Sequence, residues 1–170
     1  MYDLKKMYGS FKGVIGEYMF KLTNKKAVLT RFHGLNKYFQ MYSRHFTPSQ
    51  IRFLKGNWYS IDAIEIAFDN GKMPTIYEIK TKNKYRKFLL FKPKITLASY
   101  EVYTKAKNLG FVVKLAIVEL AENWEYDVTI LDFDRKYLCI DKPKQYDNST
   151  KTANYLKQTD SKTLINSSVV

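Results

Sequence analysis

Leu4, Met7, Tyr8, Phe11, Val14, Ile15, Tyr18, Met19 and Leu22 recur at steps of three and four, the spacing that lines apolar side chains along one side of a helix. Gly9, Gly13 and Gly16 weaken that helix without breaking its pattern. Residues 27–32 are short, β-branched and aromatic, and read as a strand; Thr47-Pro48 opens a short helix reaching residue 54. Residues 33–46 carry no assignable pattern. Residues 58–68 and 75–81 read as two strands on either side of Asp69-Asn70-Gly71, a hairpin signal. From Lys92-Pro93 a helix is predicted as far as residue 108 or 109, stopped by Gly110, with Ile95, Ala98, Val102, Ala106 and Leu109 as its apolar stripe. Two more strands follow at 111–120 and 126–133. The order α, β, β, β, α, β, β predicts one α/β domain with a mixed central sheet flanked by helices. Apolar residues thin out from Asp141, so a core of residues 1–140 and a flexible polar tail of 141–170 are expected.

The predicted hairpin holds the most informative alternation. In Tyr77-Glu78-Ile79-Lys80 the acid and the lysine share one face of a strand about 6.6 Å apart, while Tyr77 and Ile79 face the other way. Asp62 stands in line with Ile64, Ile66 and Phe68, a carboxylate at the end of an apolar face and costly there without compensation. Register decides whether it meets Glu78. A two-residue Asn70-Gly71 turn sets Asp62 opposite Ile79 and separates the carboxylates. A three-residue turn, or a longer one of the same parity, sets Asp62 opposite Glu78 with Cβ atoms about 4.5–5.5 Å apart. This second register is the one expected, and two carboxylates so close invite a divalent cation. Glu65 points to the opposite face and is expected to be structural.

Charge narrows the partner. Against 16 acidic residues stand 29 Lys and Arg, a formal +13, which suits a polyanion, nucleic acid before a membrane surface. Lipidation motifs and basic amphipathic helices are not evident, and no apolar run approaches the roughly 20 residues of a membrane span. No secretory signal is read at the start, so a cytoplasmic location is expected, the host's cytoplasm for a viral chain. The one cysteine, Cys139, excludes an internal disulfide and cysteine-ligated zinc or iron–sulfur centres, and is expected to be a buried small hydrophobe. His33 and His45 lack a metal-ligand spacing.

These residues resemble the PD-(D/E)xK nucleases over about residues 10–133. That restriction-endonuclease-like core runs α, β, β, β, α, β, with an acid on the first helix, an Asp at a strand and Glu-x-Lys on the next. The matching positions here are Glu17, Asp62, Glu78 and Lys80. Lys12-Gly13 with Gly16-Glu17, and the later acids, look most like archaeal Holliday-junction resolvases. Ser60-Ile61-Asp62 lacks the proline often found before the Asp, and residues 33–57 are longer than that pattern. The resemblance implies a Mg²⁺-dependent DNA endonuclease, with Mn²⁺ as substitute, in which Asp62, Glu78 and the Ile79 carbonyl hold the metal, Glu17 reaches it through water and Lys80 activates water. It also leaves open a branched-DNA resolvase acting as a homodimer, or a non-catalytic nucleic-acid-binding module on the same fold.

On a helical wheel Glu17 lies roughly 130° from the centre of the apolar stripe, a direction that suits either a cleft or plain solvation. Residues 80–94 hold Lys80, Lys82, Lys84, Arg86, Lys87, Lys92 and Lys94 without an acid, interleaved with Tyr85, Phe88 and Phe91. This stretch reads as a phosphate-binding track with aromatics able to stack on unpaired bases. Arg44, among Tyr38, Phe39, Tyr42 and His45, marks a second DNA-facing segment or ordinary packing. Richness in Lys, Tyr and Ile suggests a thermophilic or viral source.

Overall fold

A computed structural model describes residues 4–66, 73–84, 92–121 and 123–141, with side chains from Phe11 onward. The predicted turn at 69–71, Arg86, Lys87 and the polar tail beyond 141 lie outside these residues. Along the chain run α1 (Leu4–Thr23), β1 (Val28–Leu29), α2 (Leu35–Tyr42), α3 (Pro48–Asn57), β2 (Ala63–Glu65), β3 (Thr75–Asn83), β4 (Lys94–Thr96), α4 (Leu97–Asn108), β5 (Val112–Leu120), β6 (Tyr126–Asp132) and β7 (Cys139–Asp141). The chain is a mixed α/β structure whose main sheet has five strands in the order β1-β2-β3-β5-β6. β1, β2 and β3 pair antiparallel, β3 and β5 parallel, and β5 and β6 antiparallel. A parallel neighbour cannot be reached by a hairpin, and the crossover from β3 to β5 carries α4.

Several predicted elements change in extent, each for a local reason. Of the strand expected over 58–68, the described residues 58–66 hold Ala63–Glu65, residues 67 and 68 lying outside the description; Trp58–Ser60 coil instead into a 3₁₀ turn whose Trp58 indole N–H donates to the His33 carbonyl at 2.7 Å. The strand expected over 27–32 likewise shrinks to Val28–Leu29 and gives way to a 3₁₀ turn, Thr30–Phe32. α3 begins where Thr47-Pro48 predicted, because Thr47 and Gln50 cap each other reciprocally at 3.3 and 2.9 Å, but it runs on to Asn57. The helix expected from Lys92-Pro93 starts later, at Leu97, capped by Thr96. Residues 94–96 are drawn into a two-stranded pairing with 139–141 that buries Ile95. Gly110 ends α4 in the left-handed region, φ 84°, as predicted. The unassigned segment contains α2, whose Tyr38 packs on Tyr42, Phe46 and Trp58. Cys139 is exposed on β7, contrary to expectation, because only Ile140 of that short edge strand turns inward.

Each face of the sheet carries its own core. Ile64, Ile76, Leu115 and Ile117 pack toward α2, α3 and α4 with Leu54, Tyr103 and Phe111. Ala63, Tyr77, Ile79 and Val118 pack on the other side with Phe20 of α1. The roll of α1 differs from the helical-wheel expectation: Gly16, Glu17 and Phe20 are buried, while Phe11 and Tyr18 are 58% and 57% exposed. Contact distance explains it. A Cβ on Gly16 would stand 1.9 Å from Thr81 Oγ1 and 2.9 Å from Thr81 Cβ, so only glycine lets the helix backbone come this near to β3. Gly16→Ala should therefore destabilise the protein by about 1–3 kcal/mol in denaturant unfolding, although alanine is the better helix former. Unchanged stability would show that α1 does not sit this close.

Candidate active site

β2 pairs with only the first three residues of β3, Ala63 with Tyr77, Ile64 with Ile76 and Glu65 with Thr75. Partner numbers total 140, the register that brings Asp62 to Glu78 when continued by one residue. Beyond that rung the two strands part. The Tyr103 hydroxyl sits in the fork, donating to the Tyr77 carbonyl at 3.1 Å and accepting from the Asp62 amide at 3.4 Å. Asp62 Oδ2 then accepts from the Ile79 amide at 2.7 Å, so a side chain fills the place of the next backbone rung. A strand residue directs its N–H and C=O to the same side, so the Ile79 carbonyl leaves toward this same open edge. The Ile79 side chain is buried on the α1 side.

Glu78 is 4% exposed and Glu17 5%, and both belong to a short roster of buried polar side chains. Lys80 Nζ lies 2.5 Å from Glu78 Oε1 at the boundary with solvent. Glu17 reaches the same edge from α1, where Arg31 Nη2 meets its Oε1 at 3.1 Å. Its Oε2 is buried without a hydrogen-bond partner among the described residues. Glu17, Thr30, Arg31, Tyr59, Ile61 and Asp62 line a cleft of about 150 Å³. Glu17, Asp62, Glu78 and Lys80 are thus brought together, as the motif spacing suggested; Thr30, Arg31, Tyr59 and Tyr103 join them without any sequence signal. Glu65 faces away and accepts from the Tyr77 hydroxyl at 2.7 Å and Asn24 at 3.0 Å, a structural role as expected.

Electrostatics reflect this crowding. Burial, then the neighbouring Glu78 charge, push the Asp62 carboxyl up from 3.8 to about 7, against the opposing Ile79 hydrogen bond. Glu17 is raised by burial, opposed by Arg31 and reinforced by Glu78. Tyr103, enclosed and facing both carboxylates, is held far above its ordinary range, so it remains a neutral donor. Tyr103→Phe should leave the Tyr77 carbonyl and the Asp62 amide unsatisfied, at a cost of about 1–3 kcal/mol in unfolding experiments. Full stability in that variant would mean that the fork does not depend on the hydroxyl.

The expected phosphate track is only partly available. Lys82 is 2% exposed and ion-paired with Glu119, because the parallel register places the two side by side on β3 and β5; its ammonium is enclosed rather than presented at the surface. Lys84 is turned toward Asp127 at 3.1 Å and Glu125 at 3.9 Å. Lys94 lies exposed on β4 near Asp141, and Arg44 lies exposed in the 3₁₀ turn Ser43–His45. Among the described residues, no group of three or more His, Cys, Asp and Glu side chains is arranged to hold a metal ion, and no helix is long and apolar enough to cross a membrane. Comparison of the chain with known protein families, with curated proteins and with solved structures gives no match.

Proposed function

We propose that this chain is a metal-dependent nuclease that hydrolyses phosphodiester bonds of DNA, acting as an endonuclease at the open edge of β3. The observation that carries the reading is the junction where Asp62 caps the Ile79 amide beside Glu78 while Lys80 and Glu17 converge on the same edge. The element order supports it. With α2 and α3 set aside as additions between β1 and β2, and β4 as an extension before α4, the elements run α, β, β, β, α, β, β, an order in keeping with the motif's resemblance.

The donor set suits a hard divalent cation such as Mg²⁺ or Mn²⁺: oxygen ligands only, a buried Glu17 oxygen lacking a partner among the described residues, and a Glu78 charge that raises the proton affinity of both Asp62 and Glu17. Asp62, Glu78 and the Ile79 carbonyl would hold it, with Glu17 at longer range through water. When bound, the cation supplies charge compensation for the carboxylates and for the phosphate. Lys80, part-exposed beside Glu78, would orient a water for in-line attack on phosphorus and offset charge gathering on the phosphate oxygens. Arg31 holds Glu17 in place and presents its outer edge to a phosphate. Tyr103 fixes Asp62 relative to β3 without taking part in proton transfer.

The test incubates purified protein with supercoiled, linear, single-stranded and four-way-junction DNA in Mg²⁺, Mn²⁺ or EDTA, beside Glu78→Ala. Cleavage that needs the metal and is lost in the variant supports the reading. Cleavage in EDTA, or cleavage that survives Glu78→Ala, sinks the mechanism, and binding without cleavage in either metal favours a non-catalytic nucleic-acid-binding module. Resolution of the junction by a homodimer would assign the enzyme to branched DNA.

A further inference from the structure

Among the described residues Tyr59 is the most exposed large hydrophobic side chain, at 81%, yet it stands in a turn anchored on both sides. On one side Trp58 is buried and its indole is held by the His33 carbonyl. On the other, Ile61 is buried and its carbonyl accepts from the Thr30 hydroxyl. The ring between them lines the same cleft as Asp62, Glu17 and Arg31. A single exposed aromatic is ordinary. An exposed ring on a pinned turn at the lip of a carboxylate cleft, next to a half-exposed guanidinium in a chain of formal charge +13, has the two components of a single-strand site: a flat apolar face and a cation for the backbone.

We infer that Tyr59 is a stacking platform for an unpaired base, and that with Arg31 it makes this cleft prefer single-stranded or frayed polynucleotide over intact duplex. The inference rests on the nuclease reading for where the scissile phosphate lies. In a duplex each base already stacks on its neighbours, so the ring can take only a base that has left the helix, at a cost duplex must meet and single strand does not. Arg31 has Glu17 on one side and solvent on the other, leaving its remaining N–H groups for the adjoining phosphate.

Binding is read by fluorescence anisotropy in EDTA, where cleavage does not interfere, with short labelled oligo(dT), oligo(rU) and duplex DNA. Tyr59→Ala should weaken single-strand binding at least about fivefold and duplex binding less than about twofold. Tyr59→Trp should keep single-strand affinity and show quenching of its indole emission on oligo(dT). Loss on either single strand with duplex spared supports the platform, and the DNA and RNA arms say which strand it serves. Equal loss on single strand and duplex, or none, overturns it. The two readings fail separately: cleavage with a Tyr59→Ala variant that binds like wild type removes only the platform, whereas Tyr59-dependent single-strand preference in a protein that cuts nothing removes only the nuclease.

Discussion

Asp62→Asn is expected to abolish DNA cleavage and, in the same protein, to raise the melting temperature of the metal-free form at pH 8. The two effects share one cause. The Asp62 carboxyl is raised from 3.8 to about 7 in the folded chain, chiefly by burial and then by Glu78. Between those values the folded protein binds a proton that the unfolded chain has released, so stability falls as pH rises from about 4 toward 7 and stays low above it. Asparagine keeps an oxygen for the Ile79 amide, removes the charge and offers Glu78 a donor in place of a repelling carboxylate. For a part-buried group screened by nearby water, a gain of about 1–2 kcal/mol at pH 8 is reasonable, a few degrees in a chain of this size. It should vanish below pH 4, where aspartate in the wild type is itself neutral. Calorimetry across pH checks both ends, and a variant less stable than wild type at pH 8 would show that Asp62 is not held at a cost. Mg²⁺ should raise the wild-type melting temperature more at pH 8 than at pH 5 and leave Asp62→Asn nearly unmoved.

That cost explains why the site was partly legible in sequence. A carboxylate in line with Ile64 and Ile66 contradicts its own strand pattern, and such contradictions concentrate where function opposes stability. Strand alternation put Glu78 and Lys80 on one face, and turn parity put Asp62 against Glu78, because both follow from local geometry. What local geometry cannot give is how separate elements approach. The roll of α1 depends on Gly16 meeting Thr81, sixty-five residues away in sequence, so the apolar stripe pointed to the wrong side and the helical wheel alone left Glu17 open between a cleft and plain solvation. Arg31 and Tyr59 reach the cleft through 3₁₀ turns lying where strands were predicted, and neither residue type carries a motif. The extent of β2 was missed for a related reason: side chains of Tyr103 and Asp62 replace the rungs that a longer strand would have made.

Lys80 and Lys82 stand two apart on one strand face, and exchanging each for alanine should give opposite phenotypes. Lys80 touches Glu78 at 2.5 Å and keeps part of its side chain in solvent, whereas Lys82 is enclosed against Glu119. Lys80→Ala should lower single-turnover cleavage by roughly 10²–10⁴-fold, the range of a positioned proton-transfer group, with DNA affinity changed by only a few-fold because one phosphate contact among many is lost. Saturating protein isolates the chemical step, so the loss cannot be ascribed to binding. Lys82→Ala should instead leave Glu119 facing a half-buried void and cost about 3–5 kcal/mol in denaturant unfolding, while the molecules that remain folded cut at close to the wild-type rate. Lys82→Met with Glu119→Leu should recover much of that stability, since the pair is replaced by apolar contact rather than broken. A Lys80→Ala protein that cleaves within tenfold of wild type removes Lys80 from the chemistry. A Lys82→Ala protein that is stable but inactive would return Lys82 to the phosphate track proposed from sequence, against its burial on β3.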